Sequence, residues 1–278
     1  MDDNKPPSIR EPDERVALRV DERGVAWVTL NRPEKHNAFD DKMIAQLSQC
    51  FRKLSSAKDV RVAVISSSGK SFCAGADLAW MRRMASYDFD ENQRDALALA
   101  EMLQALNDLP MPTIARIQGN AFGGAVGLIS CCDLALASAD ARFGLTEVKL
   151  GLIPATIGPY VLEAIGQRWA RRLFLSGELF DVNRALAIGL VHEQCATNEL
   201  DQLLEAQIDV LLKNGPRATR AAKALIKDFE GQPVNEEVRR ETCRRIAELR
   251  VSEEGQEGLS AFLEKRKPSW APKPAEEQ

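Results

Sequence analysis

Ser71-Phe72-Cys73-Ala74-Gly75-Ala76-Asp77-Leu78, read together with Gly119-Asn120-Ala121-Phe122-Gly123-Gly124-Ala125-Val126-Gly127, decides how this chain folds. Each stretch carries a β-rich run through small residues into a helix, which leaves backbone N–H groups at the helix start without partners inside the helix. Two such donors brought together hold one oxyanion, and losing one of a pair typically costs ~10²–10³ in rate. Glycine at 123 and 124 suits that use, because a Cβ there would crowd a backbone that must approach its ligand closely. The competing use of such glycines is tight packing.

Working outward, residues 16–20 and 25–30 alternate apolar and polar about Asp21-Glu22-Arg23-Gly24, the pattern of two strands and a hairpin turn. Asp40 or Asp41 caps a helix running to about Leu54, and 60–65 reads as the next strand. Helical segments follow Ala76 as far as Leu109, where Pro110 and Pro112 impose a break. Residues 113–117 form a strand, 124–132 a short buried helix and 134–137 another strand, so a strand, turn and helix unit recurs in an α/β chain. From about Arg168 the composition turns to amphipathic helix, at 168–176, 181–188, 199–213, 217–229, 236–251 and 254–265. The expected organisation is a flexible arm at 1–13, a core at 14–195, a helical C-terminal region at 196–267 and a flexible tail at 268–278.

At 278 residues and 45% hydrophobic content the chain can bury one substantial core and a small appendage. No run approaches the roughly 18 apolar residues of a membrane span. The start, Met1-Asp2-Asp3-Asn4-Lys5-Pro6-Pro7, has no apolar stretch of a secretory signal, so the expected location is cytoplasmic. A net charge of −4 argues against nucleic acid as a partner. Six cysteines without a C-x-x-C pair read as reduced core residues. With only His36 and His192, and no G-x-S-x-G elbow, neither a zinc site nor a serine hydrolase is expected. Ser66-Ser67-Ser68-Gly69-Lys70-Ser71 has the look of a phosphate loop, but Val64 stands in place of its first glycine and the stretch reads as a surface turn.

Five blocks in order carry a resemblance: Leu30-Asn31-Arg32-Pro33-Glu34-Lys35-His36-Asn37-Ala38, then 72–78, then Ile117-Gln118 running into 119–124, then Phe143-Gly144-Leu145-Thr146-Glu147-Val148-Lys149-Leu150-Gly151-Leu152-Ile153-Pro154, and Ala261-Phe262-Leu263-Glu264-Lys265-Arg266-Lys267-Pro268. Over roughly 15–267 the chain resembles the crotonase superfamily, the enoyl-CoA hydratase/isomerase family. The resemblance implies a spiral of ββα turns with a C-terminal helical trimerisation region, an acyl-CoA substrate, no metal, no cofactor beyond the substrate's own coenzyme A, no membrane, and a homotrimer or a hexamer made of two trimers. Matched residue by residue, it implies that the N–H groups of Ala76 and Gly124 are the oxyanion donors and that Glu147 exchanges a proton with the substrate α-carbon. The apolar run 148–153 is expected to desolvate Glu147 and raise its pKa. Lys35, His36, Ala38, Ala74, Asp77, Leu78, Gly123 and Ala155 match substrate-binding positions. Phe262 and Lys265 match positions where a C-terminal helix, commonly a neighbouring subunit's, covers the nucleotide.

The chain also departs from the family pattern. Many hydratases carry a second glutamate one helical turn after the oxyanion glycine, where this chain has Gly127, and the segment after Pro154 is altered to Ala155-Thr156-Ile157-Gly158-Pro159-Tyr160. Three readings stand. One is a hydratase in which Glu147 works alone on a water held by backbone groups, Thr156 or Tyr160, similar to the bacterial branch that hydrates 3-methylglutaconyl-CoA in leucine or terpenoid catabolism. There, glycine at 127 makes room for the substrate's second carboxylate and spares it a like-charge neighbour worth up to ~4 kcal/mol. The second is a double-bond isomerase that needs a single carboxylate. The third is a non-catalytic scaffold or RNA-associated protein, against which Glu147 and both donor loops argue. Trp80, Met81 and Met84 suit either an acyl pocket or plain core.

Overall fold

The alternating runs at the start of the chain seed a ladder onto which every later unit adds. The computed structural model describes residues 14–272, so the expected arm at 1–13 and the end of the expected tail, 273–278, lie outside the described residues. The strands are β1 (Val16–Val20), β2 (Val25–Leu30), β3 (Val62–Ser67), β4 (Thr113–Ile117), β5 (Ala121–Phe122), β6 (Leu134–Ser138), β7 (Arg142–Gly144), β8 (Leu179–Asp181) and β9 (Glu193–Cys195). The helices are α1 (Asp41–Ser55), α2 (Leu78–Met84), α3 (Phe89–Asn107), α4 (Gly124–Ser130), α5 (Gly158–Ser176), α6 (Val182–Ala187), α7 (Leu200–Leu212), α8 (Pro216–Phe229), α9 (Glu236–Arg250) and α10 (Glu253–Leu263).

One sheet has the order β1-β2-β3-β4-β6-β9, and after the antiparallel hairpin every neighbour is parallel. A smaller sheet, β5-β7-β8, runs beside it, and single bridges Phe39–Ala76 and Cys73–Ala121 extend the same side. Each turn of the chain therefore lays a long strand in the large sheet, a short extended piece in the small one, and then a helix. Parallel strands leave both faces to be covered, and β3 is buried at all six positions. Ala63 and Ile65 face the main core while Val62 and Val64 face a second cluster with Leu200, Leu204, Ile208 and Leu212 of α7. No polar face marks where such a strand begins, which is why it lies two residues beyond the expected 60–65.

That second cluster relocates the expected boundary at 195. α7 covers the sheet and belongs to the core, whereas α8 and α9 contain no fully buried residue. The last helices are moored mostly by polar bonds. Arg220 donates to the carbonyls of Ala57, Lys58 and Val60, Lys223 to Met111 O and Asp133, and Arg61 to Leu212 O, Asn214 O and Trp270 O. Cys50, Cys73, Cys131 and Cys132 are buried as expected of reduced core cysteines, but Cys195 is half-buried and Cys243 exposed. No described helix is long and apolar enough to cross a membrane.

Candidate active site

The chain after β2 makes a tight turn in which His36 (φ 51°) and Asn37 (φ 54°) take the left-handed conformation. Asn37 makes that tenable: buried, it accepts from Arg32 N at 2.8 Å and donates to Ser68 O at 2.8 Å and Ser71 O at 2.9 Å. Gln118 donates to four acceptors of the same 67–71 loop. These carbonyls face inward onto amide donors, the opposite polarity to a phosphate cradle, and Ser66, Ser67 and Ser71 are buried where a surface turn was expected.

The turn delivers Phe39 alongside the loop of residues 73–77. Phe39 N donates to Gly75 O at 2.7 Å and Asp77 N to Phe39 O at 2.7 Å. In such a parallel bridge the residue between the two bonds points its own N–H away, and Ala76 N has no acceptor among the described residues. Gly75 sits at φ +91°, and a Cβ there would meet Phe122 O at 3.2 Å, so only glycine turns the chain here without strain.

The second loop is bonded to the first: Cys73 N donates to Asn120 O at 3.1 Å and Phe122 N to Cys73 O at 3.0 Å. Gly123, at φ 54° and ψ −122°, donates to Gly144 O, and Gly124 opens α4 with no acceptor for its N–H among the described residues. A Cβ on Gly124 would come within 3.0 Å of the Phe39 ring. Phe39 therefore binds one loop through its backbone and supports the other with its ring. A lone phenylalanine between a turn and a helix cap gives no such signal in sequence.

Glu147 begins a 3₁₀ turn (Glu147–Leu150) after β7, which pairs with β5 and so carries it to the Gly123 turn. A Cβ on Gly123 would lie 3.2 Å from Glu147 Oε1. The other oxygen, Oε2, is buried without a partner among the described residues, an arrangement that ordinarily costs about 1–3 kcal/mol. Burial raises the carboxyl pKa above its ordinary 4.5, offset in part by a bond to the residue's own backbone. The expected source of that burial is corrected by the structure. Leu150, Leu152 and Ile153 are 60%, 56% and 73% exposed, so the run 148–153 does not enclose Glu147; the glycine turn at 123 packs against it instead.

Gly127 lies one turn along α4 from Gly124, but it opens no space for an acyl group. A Cβ there would stand 2.3 Å from Ile157 Cγ2 and 2.6 Å from Ile157 Cβ, so the expectation of room at 127 is overturned: Ile157, 2% exposed, fills it. The two departures seen in sequence, at 127 and at 155–160, are one packing unit. Gly127→Ala is expected to destabilise by about 1–3 kcal/mol through overpacking. Ile157→Ala alone leaves a cavity costing about 2–5 kcal/mol. The double variant should cost less than their sum, read as a urea-unfolding cycle; strict additivity would mean the two side chains do not compete for one space. Burial, with the charges of Cys131, Asp108 and Glu163, raises the phenol pKa of Tyr160.

Of the remaining candidates, Lys35, His36, Ala74 and Ala155 are exposed, Leu78 is 72% exposed, and Ala38 is buried at the turn. His36 shares a hydrogen bond of 3.2 Å with Ser71 Oγ through Nδ1. Asp77 is buried with its carboxylate engaged: Oδ1 accepts from Ala79 N and Trp80 N, and Oδ2 pairs with Arg32 at 3.1 Å. Burial opposes its charge, but the Trp80 and Ala79 N–H groups with Arg32 and Lys35 outweigh it and hold its pKa low. Trp80 is buried and donates to Asp95 at 3.1 Å, a core role with a polar tether. Phe262 and Lys265 are exposed at the end of α10, whose region is anchored through Arg61 to the residues entering β3, opposite the loops that leave the sheet.

The family model described as enoyl-CoA hydratase/isomerase matches residues 21–273. An enoyl-CoA hydratase structure from Shewanella pealeana is 44% identical, with a TM-score of 0.89 over 93% of this chain and 97% of that one. The (E)-benzylidenesuccinyl-CoA hydratase of Thauera aromatica is 33% identical over 92% of this chain and 98% of its own length. The mitochondrial methylglutaconyl-CoA hydratase of Homo sapiens is 34% identical over 91% and 75% respectively.

Proposed function

We propose hydration of a branched or carboxylated enoyl-CoA thioester as the reaction of this chain, which belongs to the enoyl-CoA hydratase/isomerase family and has its crotonase-type α/β fold. One observation carries the chemistry: among the described residues, Glu147 presents a buried, unpartnered carboxyl oxygen against the same glycine turn that leaves the Gly124 N–H unpaired, with Ala76 N–H free on the adjoining loop. In the proposed reaction the thioester oxygen lies between the two N–H groups, which stabilise the negative charge that develops when water adds at the β-carbon. Glu147 delivers its proton to the α-carbon and takes back the proton that the adding water gives up, so the carboxyl is restored at the end of the cycle, and its raised pKa favours the protonated form relative to an ordinary carboxyl.

The choice of acyl group rests on kinship and on the missing carboxylate at 127. Benzylidenesuccinyl-CoA and methylglutaconyl-CoA, named for the two relatives, both carry a second carboxylate; 3-methylglutaconyl-CoA is the candidate substrate here. With glycine at 127 no second carboxylate stands one turn along α4 to repel such a group, although Ile157 fills the place and leaves no added room. Gly127 also favours isomerisation as a second reading, because glycine at that place gives water no carboxylate to anchor it. Enoyl-CoA thioesters, straight, branched and carboxylated, assayed by mass spectrometry in heavy-oxygen water separate these. Hydration of the carboxylated substrates with label uptake is expected. Double-bond migration without label sinks the hydratase reading, and inertness toward the whole panel sinks both.

A homotrimer or a hexamer is proposed from the helices that find little burial in one chain: Ile226, Phe262 and Leu263 are 75%, 81% and 78% exposed. Phe262 and Lys265 would then serve a neighbouring copy's nucleotide pocket, with Lys35 and His36 contacting coenzyme A from within the chain. Sedimentation equilibrium reads the assembly directly, and a monomer would remove this role for Phe262 and Lys265.

A further inference from the structure

Two aspartates cap the helices that flank the oxyanion loop, and one guanidinium joins them. Asp40 Oδ1 accepts from Met43 N at 2.9 Å at the start of α1, and Asp77 Oδ1 accepts from Ala79 N at 2.8 Å and Trp80 N at 3.1 Å at the start of α2. Each keeps its second oxygen for Arg32, which donates through Nη1 to Asp40 at 3.0 Å and pairs through Nη2 with Asp77 at 3.1 Å. The three side chains are 16%, 8% and 7% exposed. Arg15 also pairs with Asp40, but Arg32 is the group that reaches both carboxylates.

We propose that Arg32 is a positioning residue for the oxyanion donor at Ala76. The inference rests on the enoyl-CoA reading above. The Phe39–Ala76 bridge and the Asp40–Arg32–Asp77 link close a ring, with Asp40 next to Phe39 and Asp77 next to Ala76. Loop 75–77 cannot swing away from Phe39 without breaking the Arg32–Asp77 ion pair, so the direction of the Ala76 N–H is fixed before substrate arrives. Only a planar fork with two outward NH₂ groups spans two carboxylates this way; lysine offers a single point charge.

The test compares the full-length protein with Arg32→Lys, Arg32→Met and Asp77→Asn. Asparagine at 77 still caps α2 through its oxygen but turns an amide nitrogen toward Arg32 where a carboxylate oxygen stood. All three are expected to lower kcat for enoyl-CoA turnover by roughly 10- to 100-fold, the scale of a misplaced reacting geometry, with KM moving less than about threefold. A second readout excludes a merely structural effect. Acetoacetyl-CoA binds an oxyanion hole as its enolate, and the near-ultraviolet absorbance of bound enolate should fall in step with kcat. A folded Asp77→Asn variant with wild-type kcat and wild-type enolate absorbance overturns the proposal, and it decides even where Arg32→Met fails to fold. Absence of both turnover and enolate in the parent protein would overturn the enoyl-CoA reading, and the proposal with it.

Discussion

Glu147→Gln should lower kcat by roughly 10²–10⁴, the usual contribution of a positioned proton-transfer group, while acyl-CoA binding changes little. Glutamine keeps the shape of the side chain and an oxygen in the same pocket but has no proton to exchange at that carbon. The pH dependence follows from the direction of the pKa shift. Hydration uses the protonated carboxyl, so kcat/KM for hydration falls as pH rises through a value above 4.5, and dehydration, which uses the carboxylate, rises through the same value. Glutamine should flatten both limbs. Folding follows the hydration limb: a carboxyl whose pKa is raised in the fold contributes stability below 4.5 that is lost as pH climbs through the raised value. The variant should therefore be at least as stable as the parent at neutral pH. Inactive and stable is the expected pair of results; activity within a few-fold of the parent would remove Glu147 from the chemistry.

The sequence made the donor loops legible because their glycines are demanded by backbone geometry. Gly75 at φ +91° and Gly123 at φ 54° have few substitutes, so local composition carried the information. The antiparallel hairpin was equally plain, since its alternation reports an inside and an outside. β5, β7, β8 and β9, at two or three residues each, are too short for any period to register, yet β7 brings Glu147 to the site. The partnership of Gly127 with Ile157 was hidden for a related reason. Each residue looked like a separate departure, and only tertiary contact joins them. Asp77 is a third case: its place in the motif suggested contact with substrate, whereas its carboxylate is committed to the α2 cap and Arg32. Phe39, Asn37 and Arg32 act through partners far along the chain, which a linear reading of one sequence does not connect.

Ala76→Pro is expected to lower kcat by ~10²–10³ with a smaller change in KM, because it deletes one of two N–H groups and leaves the rest of the hole intact. Of the two donors this is the cleaner to remove. Ala76 is exposed and its N–H bonds to nothing among the described residues, so proline sacrifices no internal hydrogen bond. At Gly124 any Cβ presses on the Phe39 ring at 3.0 Å, and Phe39 is what holds Ala76 in place, so a substitution there disturbs both donors at once. A proline ring at 76 does restrict Gly75, which already occupies φ +91°, and circular dichroism with urea unfolding must show an intact fold before the kinetics are read. Because the lost donor acts mainly on the charge that develops during reaction, the deficit should appear in kcat, with bound acetoacetyl-CoA enolate reduced to match. If a folded Ala76→Pro protein keeps full turnover and a full enolate signal, the oxyanion is held elsewhere. The Gly124 N–H would then have to find its second donor outside the 73–77 loop, and the bridge to Phe39 would be a feature of folding alone.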